Sequence, residues 1–119
     1  MRIIVADTAP LYPPLWGGPK RIWHLFGTLS EDDFQIDYVG IDWRLKGSYR
    51  VRRISPNFRE FIFPLPSVYK LWYPLHKVFF RKLNLDLFLY FGVRLCRDFC
   101  YVLNNLKGDV FIFSHPWSA

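Results

Sequence analysis

The 119-residue sequence predicts an α/β domain with a mostly parallel sheet between helices. Three observations predict it. A run of β-branched residues, R-I-I-V-A at Arg2 to Ala6, stands at the start of the chain. A strand, a helix and a second strand fit into the first forty residues, the opening of a right-handed parallel crossover. A later apolar run, D-V-F-I-F at Asp109 to Phe113, follows a long helical pattern.

Arg2 to Ala6 has the continuous apolar character of a strand buried on both faces, so it is expected to lie inside the sheet. Asp7 to Gly18 reads as a loop, with Pro10, Pro13 and Pro14 leading to Trp16, Gly17 and Gly18. Pro19 suits the first position of a helix, because its missing N–H has no helical partner there in any case. Ile22, Leu25, Phe26 and Leu29 fall at i, i+3, i+4 and i+7 and predict an inward stripe on a helix that ends near Ser30. Asp37 to Ile41 is the second strand. This order is Rossmann-like.

Between Trp43 and Pro66 the pattern changes. Tyr49, Val51 and Arg53 alternate with Arg50 and Arg52, and Phe61 to Phe63 forms another short run. These predict an edge hairpin whose arginines discourage pairing with other chains. From Ser67 to Lys82, Val68, Leu71, Trp72, Leu75, Val78 and Phe79 recur at helical spacing, with Lys70, Lys77 and Arg81 on the other face and Pro74 as a kink or break. A further helix is expected from Leu85 to Leu106, with Asn84 as a cap. Phe88, Phe91, Leu95, Phe99, Val102 and Leu106 point inward, and Lys107 and Gly108 close it. Cys96 and Cys100, four apart on that helix, are too few for a zinc site and poorly placed for a local disulfide, so they read as core residues. A sheet that ends on the Asp109 to Phe113 strand lacks a covering helix, and the sequence therefore reads as the incomplete N-terminal piece of a longer protein.

Half of the residues are apolar and a fifth aromatic, which excludes a disordered tail. Sixteen Lys and Arg against ten acids leave a net charge of +6 and point to an anionic partner: a nucleotide phosphate, a nucleic acid or an acidic lipid surface. The apolar stretch Leu85 to Val93 is interrupted by Asp86 and is far shorter than the roughly twenty residues of a membrane span. The four apolar residues before Asp7 are too few for a signal-peptide core. A cytoplasmic protein is expected. The basic, aromatic stretch from Ser67 to Lys82 either rests peripherally on an anionic membrane or packs on the core with a solvated basic face.

The strongest chemical constellation is G-G-P-K-R at Gly17 to Arg21, opening a helix directly after a strand and a Pro-rich loop. Glycine lets a ligand approach the backbone, and the first amides of a helix are unpaired donors at the positive end of its dipole. A phosphate fits such a site. Lys20 and Arg21 in the first turn oppose the dipole, a conflict that an anion relieves. Read as structure alone, the same residues form a turn and a solvated basic pair. Neither G-x-G-x-x-G nor G-x-x-x-x-G-K-[ST] is present, which argues against a dehydrogenase and a nucleoside triphosphatase.

The stretch R-I-I-V-A-D-T-A-P-L-Y-P-P-L-W-G-G-P-K-R resembles the N-terminal signature of family 4 glycosyltransferases, in which a short strand, a Pro-containing loop and G-G-x-x-R lead into the first helix. Gly17, Gly18 and Arg21 are the matching positions, and the likeness covers about the first thirty residues. D-V-F-I-F-S-H-P, at Asp109 to Pro116, resembles more loosely the family's later strand, which ends in a histidine near the transferred sugar. Trp43 to Lys82 has no counterpart.

The resemblance implies the N-terminal half of a GT-B fold, the acceptor-side domain of a retaining enzyme that transfers sugar from a nucleotide-diphosphate sugar. It implies donor-phosphate contact at Gly17, Gly18 and Arg21, and a catalytic positioning role for His115, which is otherwise a loop residue capping a strand end. Asp7 and Lys20 are candidates for the acceptor, a saccharide or a lipid-linked one; Asp7 is equally common as a turn former. No metal, no further cofactor and no nucleic acid are expected. The donor-binding half and its acidic motif are not in this sequence, so the chain alone is expected to be inactive. Two other classes fit parts of the pattern: another GT-B enzyme such as a nucleotide-sugar epimerase, and a basic nucleic-acid or membrane-binding module without catalysis.

Overall fold

A computed structural model of the chain describes residues 1–7, 9–15, 17–42, 44–64, 74–79, 81–82 and 97–114. In chain order the elements are β1 (Arg2–Ala6), α1 (Gly17–Glu31), β2 (Gln35–Asp42), β3 (Arg50–Ser55), β4 (Phe58–Pro64), α2 (Arg97–Asn105) and β5 (Val110–Phe113). The five strands form one sheet in the order β3-β4-β2-β1-β5. β5, β1, β2 and β4 run parallel, and β3 pairs antiparallel with β4 at the edge. The architecture is α/β and Rossmann-like.

β1 lies inside the sheet, and its last four residues are buried. That is the burial that a short β-branched run requires, because it has no polar face to turn to water. The two faces carry separate cores. On one face Ile3, Val5, Ile36, Tyr38, Phe58 and Ile62 pack with Ile22 of α1 and with Leu11 of the loop that precedes it. On the other, Ile4, Ala6, Val39, Ile41 and Phe63 pack with Phe99 of α2, and Phe63 meets Phe99 edge to face at 6.0 Å. Helices therefore cover both sides.

Several expectations are corrected in detail. α1 begins at Gly17, two residues before Pro19, so both glycines are helical. Leu25 is not part of the buried stripe: it is 58% exposed, and Trp23 turns toward the sheet beside Ile22, Phe26 and Leu29. Trp23 packs on Phe58 at 5.3 Å and on Tyr12 at 5.4 Å. The larger ring removes more apolar surface from water than leucine would, and that rotates the helix about its axis. After Glu31 the chain turns through Asp33, which adopts a left-handed φ of 64°, a conformation that aspartate tolerates better than most residues.

The hairpin of β3 and β4 forms as predicted. The helix predicted from Leu85 to Leu106 is described only from Arg97, where it runs to Asn105 with Phe99 buried; Phe88, Phe91, Leu95 and Cys96 lie outside the described residues. Cys100 is partly buried against the second core. Gly108 does not close the helix in a left-handed conformation. It lies where a β-carbon would come within 2.6 Å of the Ile4 side chain, so its smallness lets the chain enter β5 close to β1.

Residues 74–79 are helical, and Leu75, Val78 and Phe79, three of the residues at helical spacing, are exposed. The Arg81 guanidinium folds back on the Lys77 carbonyl. The rest of the Ser67 to Lys82 segment lies outside the described residues, apart from Lys82. Among the described residues no helix is long and apolar enough to cross a membrane.

Candidate functional site

β2 lies on one side of β1 and β5 on the other, so the direction in which strands are added reverses at β1. In parallel α/β sheets the loops leaving the carboxyl ends of strands at such a reversal diverge and open a crevice, which is where ligands bind. Here those are the loop from Asp7 to α1 and the chain that leaves β5. Ala6 is in register with Phe113, and the Ser114 N–H donates to the Ala6 carbonyl at 3.0 Å. The ends of β1 and β5 thus stand side by side.

The loop after β1 is held by the sheet at three points. Gly40 of β2 allows the close approach: a β-carbon there would stand 2.4 Å from the Ala9 carbonyl oxygen. The Tyr38 hydroxyl donates to that same carbonyl at 2.6 Å. Glu60 of β4, with no exposure at all, accepts the Leu11 and Tyr12 N–H groups through Oε2, both at 2.9 Å, and the Arg52 guanidinium through Oε1 at 3.0 Å. Arg52 also donates to the Tyr12 carbonyl at 2.6 Å and lies over the Tyr12 ring at 5.2 Å. The Tyr12–Pro13 bond is cis.

Arg52, Glu60 and Tyr38 are aligned across β3, β4 and β2, because the register pairs Arg52 with Glu60 and Glu60 with Tyr38. Burying a carboxylate costs much less where several hydrogen-bond donors meet it. Burial first, then the negative charges of Asp7 and Glu60, push the Tyr38 phenol well above its ordinary value of 10.0. It therefore stays protonated and keeps its donor role.

At the far end of this loop, Gly17, Gly18, Lys20 and Arg21 form the exposed first turn of α1, while Pro19 between them is buried. That turn holds no acidic residue. A β-carbon at Gly17 or Gly18 would meet nothing within 4 Å. Among the described residues nothing fills the space beside either glycine. Asp7, at the other end of the loop, is 4% exposed, and its N–H donates to the Val39 carbonyl at 3.0 Å. His115 lies outside the described residues.

Compared with protein-family models, with curated proteins and with solved structures, the chain matches none.

The residues that hold the loop were not singled out in the sequence. Glu60 carried one local signal: it is an acid inside F-R-E-F-I-F, in a strand whose alternate residues are buried. An acid at a buried position calls for a dedicated set of donors. Arg52 read only as an edge arginine, and Tyr38 and Gly40 read only as strand. Their shared purpose appears once the register places them under the loop. Among the described residues no group of three or more His, Cys, Asp or Glu stands together as metal ligands would.

Proposed function

We propose that this chain is the acceptor-side, N-terminal domain of a retaining glycosyltransferase with GT-B architecture. Its donor is a nucleotide-diphosphate sugar, and its acceptor a saccharide or a lipid-linked saccharide. The observation that carries the reading is the position of G-G-P-K-R: an exposed helix start that follows the carboxyl end of an interior strand, with no described residue within 4 Å of a β-carbon at either glycine.

In this reading the free amides of the first turn of α1, together with Arg21, bind the donor diphosphate. As the bond to the sugar breaks, negative charge builds on the leaving phosphate. Donors fixed in advance stabilise that charge without reorganising during the reaction. The three-point attachment of the preceding loop supplies the fixing. Lys20 and Asp7 hold the acceptor, and His115 positions the reacting sugar. The donor-binding half belongs to a second domain, and the chain alone does not turn over.

The test is transfer of sugar by the complete gene product, with Gly18→Val as the variant. A branched side chain over the first turn blocks phosphate approach, and transfer should fall by two orders of magnitude or more, in the range seen for loss of oxyanion donors, roughly 10²- to 10³-fold. The fold should persist, since a β-carbon at Gly18 meets no atom of the described residues within 4 Å. Wild-type transfer in a folded Gly18→Val protein would remove the loop from the mechanism. An isomerised nucleotide sugar as the product, with no acceptor consumed, would replace the transferase reading with an epimerase.

A further inference from the structure

A cavity of about 190 Å³ opens at the same edge of the sheet, on the hairpin side of the loop. Pro10, Tyr12, Pro13 and Leu15 form its loop wall, and Asp42, Arg44, Arg50 and Arg52 its sheet wall. Asp42 is the last residue of β2 and Arg50 the first of β3. β3 runs antiparallel to β4, so both residues reach the carboxyl edge of the parallel strands. Three guanidinium groups therefore meet on one small cavity.

The charges are unevenly matched. Asp42 Oδ1 accepts the Arg44 backbone N–H at 2.9 Å and its side-chain Nε at 3.3 Å. Glu60 takes one amino group of Arg52. Among the described residues Arg50 has no carboxylate partner, and the buried Nε–H of Arg52 has no acceptor. Guanidinium groups offer forked N–H pairs that match phosphate oxygens.

We infer that this cavity is a second anion site, distinct from the start of α1, and that it binds the phosphoryl group of a small phosphoester. The group sits between Arg50 and Arg52, with Arg44 as the third cation, while the carbon portion of the ligand lies against Tyr12 and the prolines. The inference stands without the glycosyltransferase reading. Where both hold, the phosphoryl group belongs to the acceptor, because the donor diphosphate occupies the first turn of α1.

The experiment is a calorimetric titration of the chain with glycerol 3-phosphate, alongside sedimentation with phosphatidylcholine vesicles containing one-fifth phosphatidic acid. The same measurements are made on Arg50→Ala, Arg44→Ala and Arg97→Ala. Arg97 lies on α2, is exposed and removes the same unit of charge, so it reports general electrostatic attraction. Binding in either arm should weaken about tenfold or more in Arg50→Ala, the loss expected for a charged hydrogen bond, and less in Arg44→Ala. Arg97→Ala should bind like the wild type. Binding of free glycerol 3-phosphate identifies a soluble phosphoester; binding only of the vesicles, with the same dependence on Arg50, identifies a lipid headgroup. The inference is overturned if neither probe binds, or if Arg97→Ala weakens binding as much as Arg50→Ala. Because the Gly18→Val transfer assay reads a different position, either result can fail without the other.

Discussion

Two carboxylates are buried in this sheet, Asp37 on β2 and Glu60 on β4, and they are put to different uses. Among the described residues Asp37 accepts only from side chains. The Arg59 guanidinium donates to it at 2.8 and 3.0 Å, and the Arg2 guanidinium donates through Nε at 2.6 Å with a second contact to the same oxygen. That cluster ties β1, β2 and β4 together on the α2 face. Glu60 accepts one guanidinium and two backbone amides, and the amides belong to the loop that leads into α1. One carboxylate therefore fastens strand to strand, whereas the other fastens the sheet to a candidate binding loop.

Adjacent residues make this division possible. Arg59 and Glu60 are neighbours on β4, and Asp37 and Tyr38 are neighbours on β2. The register sets Asp37 opposite Arg59 and Tyr38 opposite Glu60. Successive side chains on a strand point to opposite faces, so one pair of dipeptides supplies an ion pair to one core and a loop anchor to the other. The lesson is that charge inside a sheet is tolerated where each group finds its donors on its own face.

Glu60→Ala should have the largest effect. It strips the Leu11 and Tyr12 amides of their shared acceptor, and each interior donor left unpaired costs about 1 to 3 kcal/mol, whereas Arg52, 36% exposed, can turn to water. Urea unfolding should show that loss, and hydrogen exchange should speed up at Leu11 and Tyr12. Slow exchange at those amides in a folded variant would mean that something other than the carboxylate holds the loop. Asp37→Ala should cost less, about 1 to 3 kcal/mol. The Arg2 and Arg59 side chains are 30% and 35% exposed, so they can turn to water once their partner is gone. Exchange at Leu11 and Tyr12 should be unchanged, and acceleration there would show that the two carboxylates act as one network.

Tyr38→Phe should have the smallest effect near neutral pH, about 1 kcal/mol for one hydrogen bond. Its pH dependence is more telling. The folded phenol titrates above its ordinary value of 10.0, so its contribution is fully present below that pH. Above it the unfolded chain loses the proton first, and stability falls as the pH rises toward the folded value. Tyr38→Phe should fall less steeply than wild type between pH 10 and 11 in thermal unfolding. Identical slopes would place the buried phenol outside this linkage.

Much of the fold was legible locally. β1 is correct at both ends because a run of four apolar residues rich in β-branched side chains has few alternatives to a buried strand. The hairpin followed from alternation, and β5 followed from its apolar run. The stripe on α1 was right at Ile22, Phe26 and Leu29 and wrong at Leu25. Periodicity fixes the spacing of a stripe, while the rotation of the helix depends on what it packs against. The exposure of Leu75, Val78 and Phe79 was not legible for a related reason: helical spacing marks an apolar face without naming what covers it.

By itself the sequence determined the kinds of element, their order and the place where a strand opens through glycines into a helix. These depend on contacts between near neighbours in the chain. Only the tertiary structure decided that Glu60 and Tyr38 hold residues 9–12, that Gly40 makes room for them, and that three arginines line one cavity. Those groups are up to 49 positions apart. They meet because strand register is a collective property of the sheet, set by all of its buried faces at once.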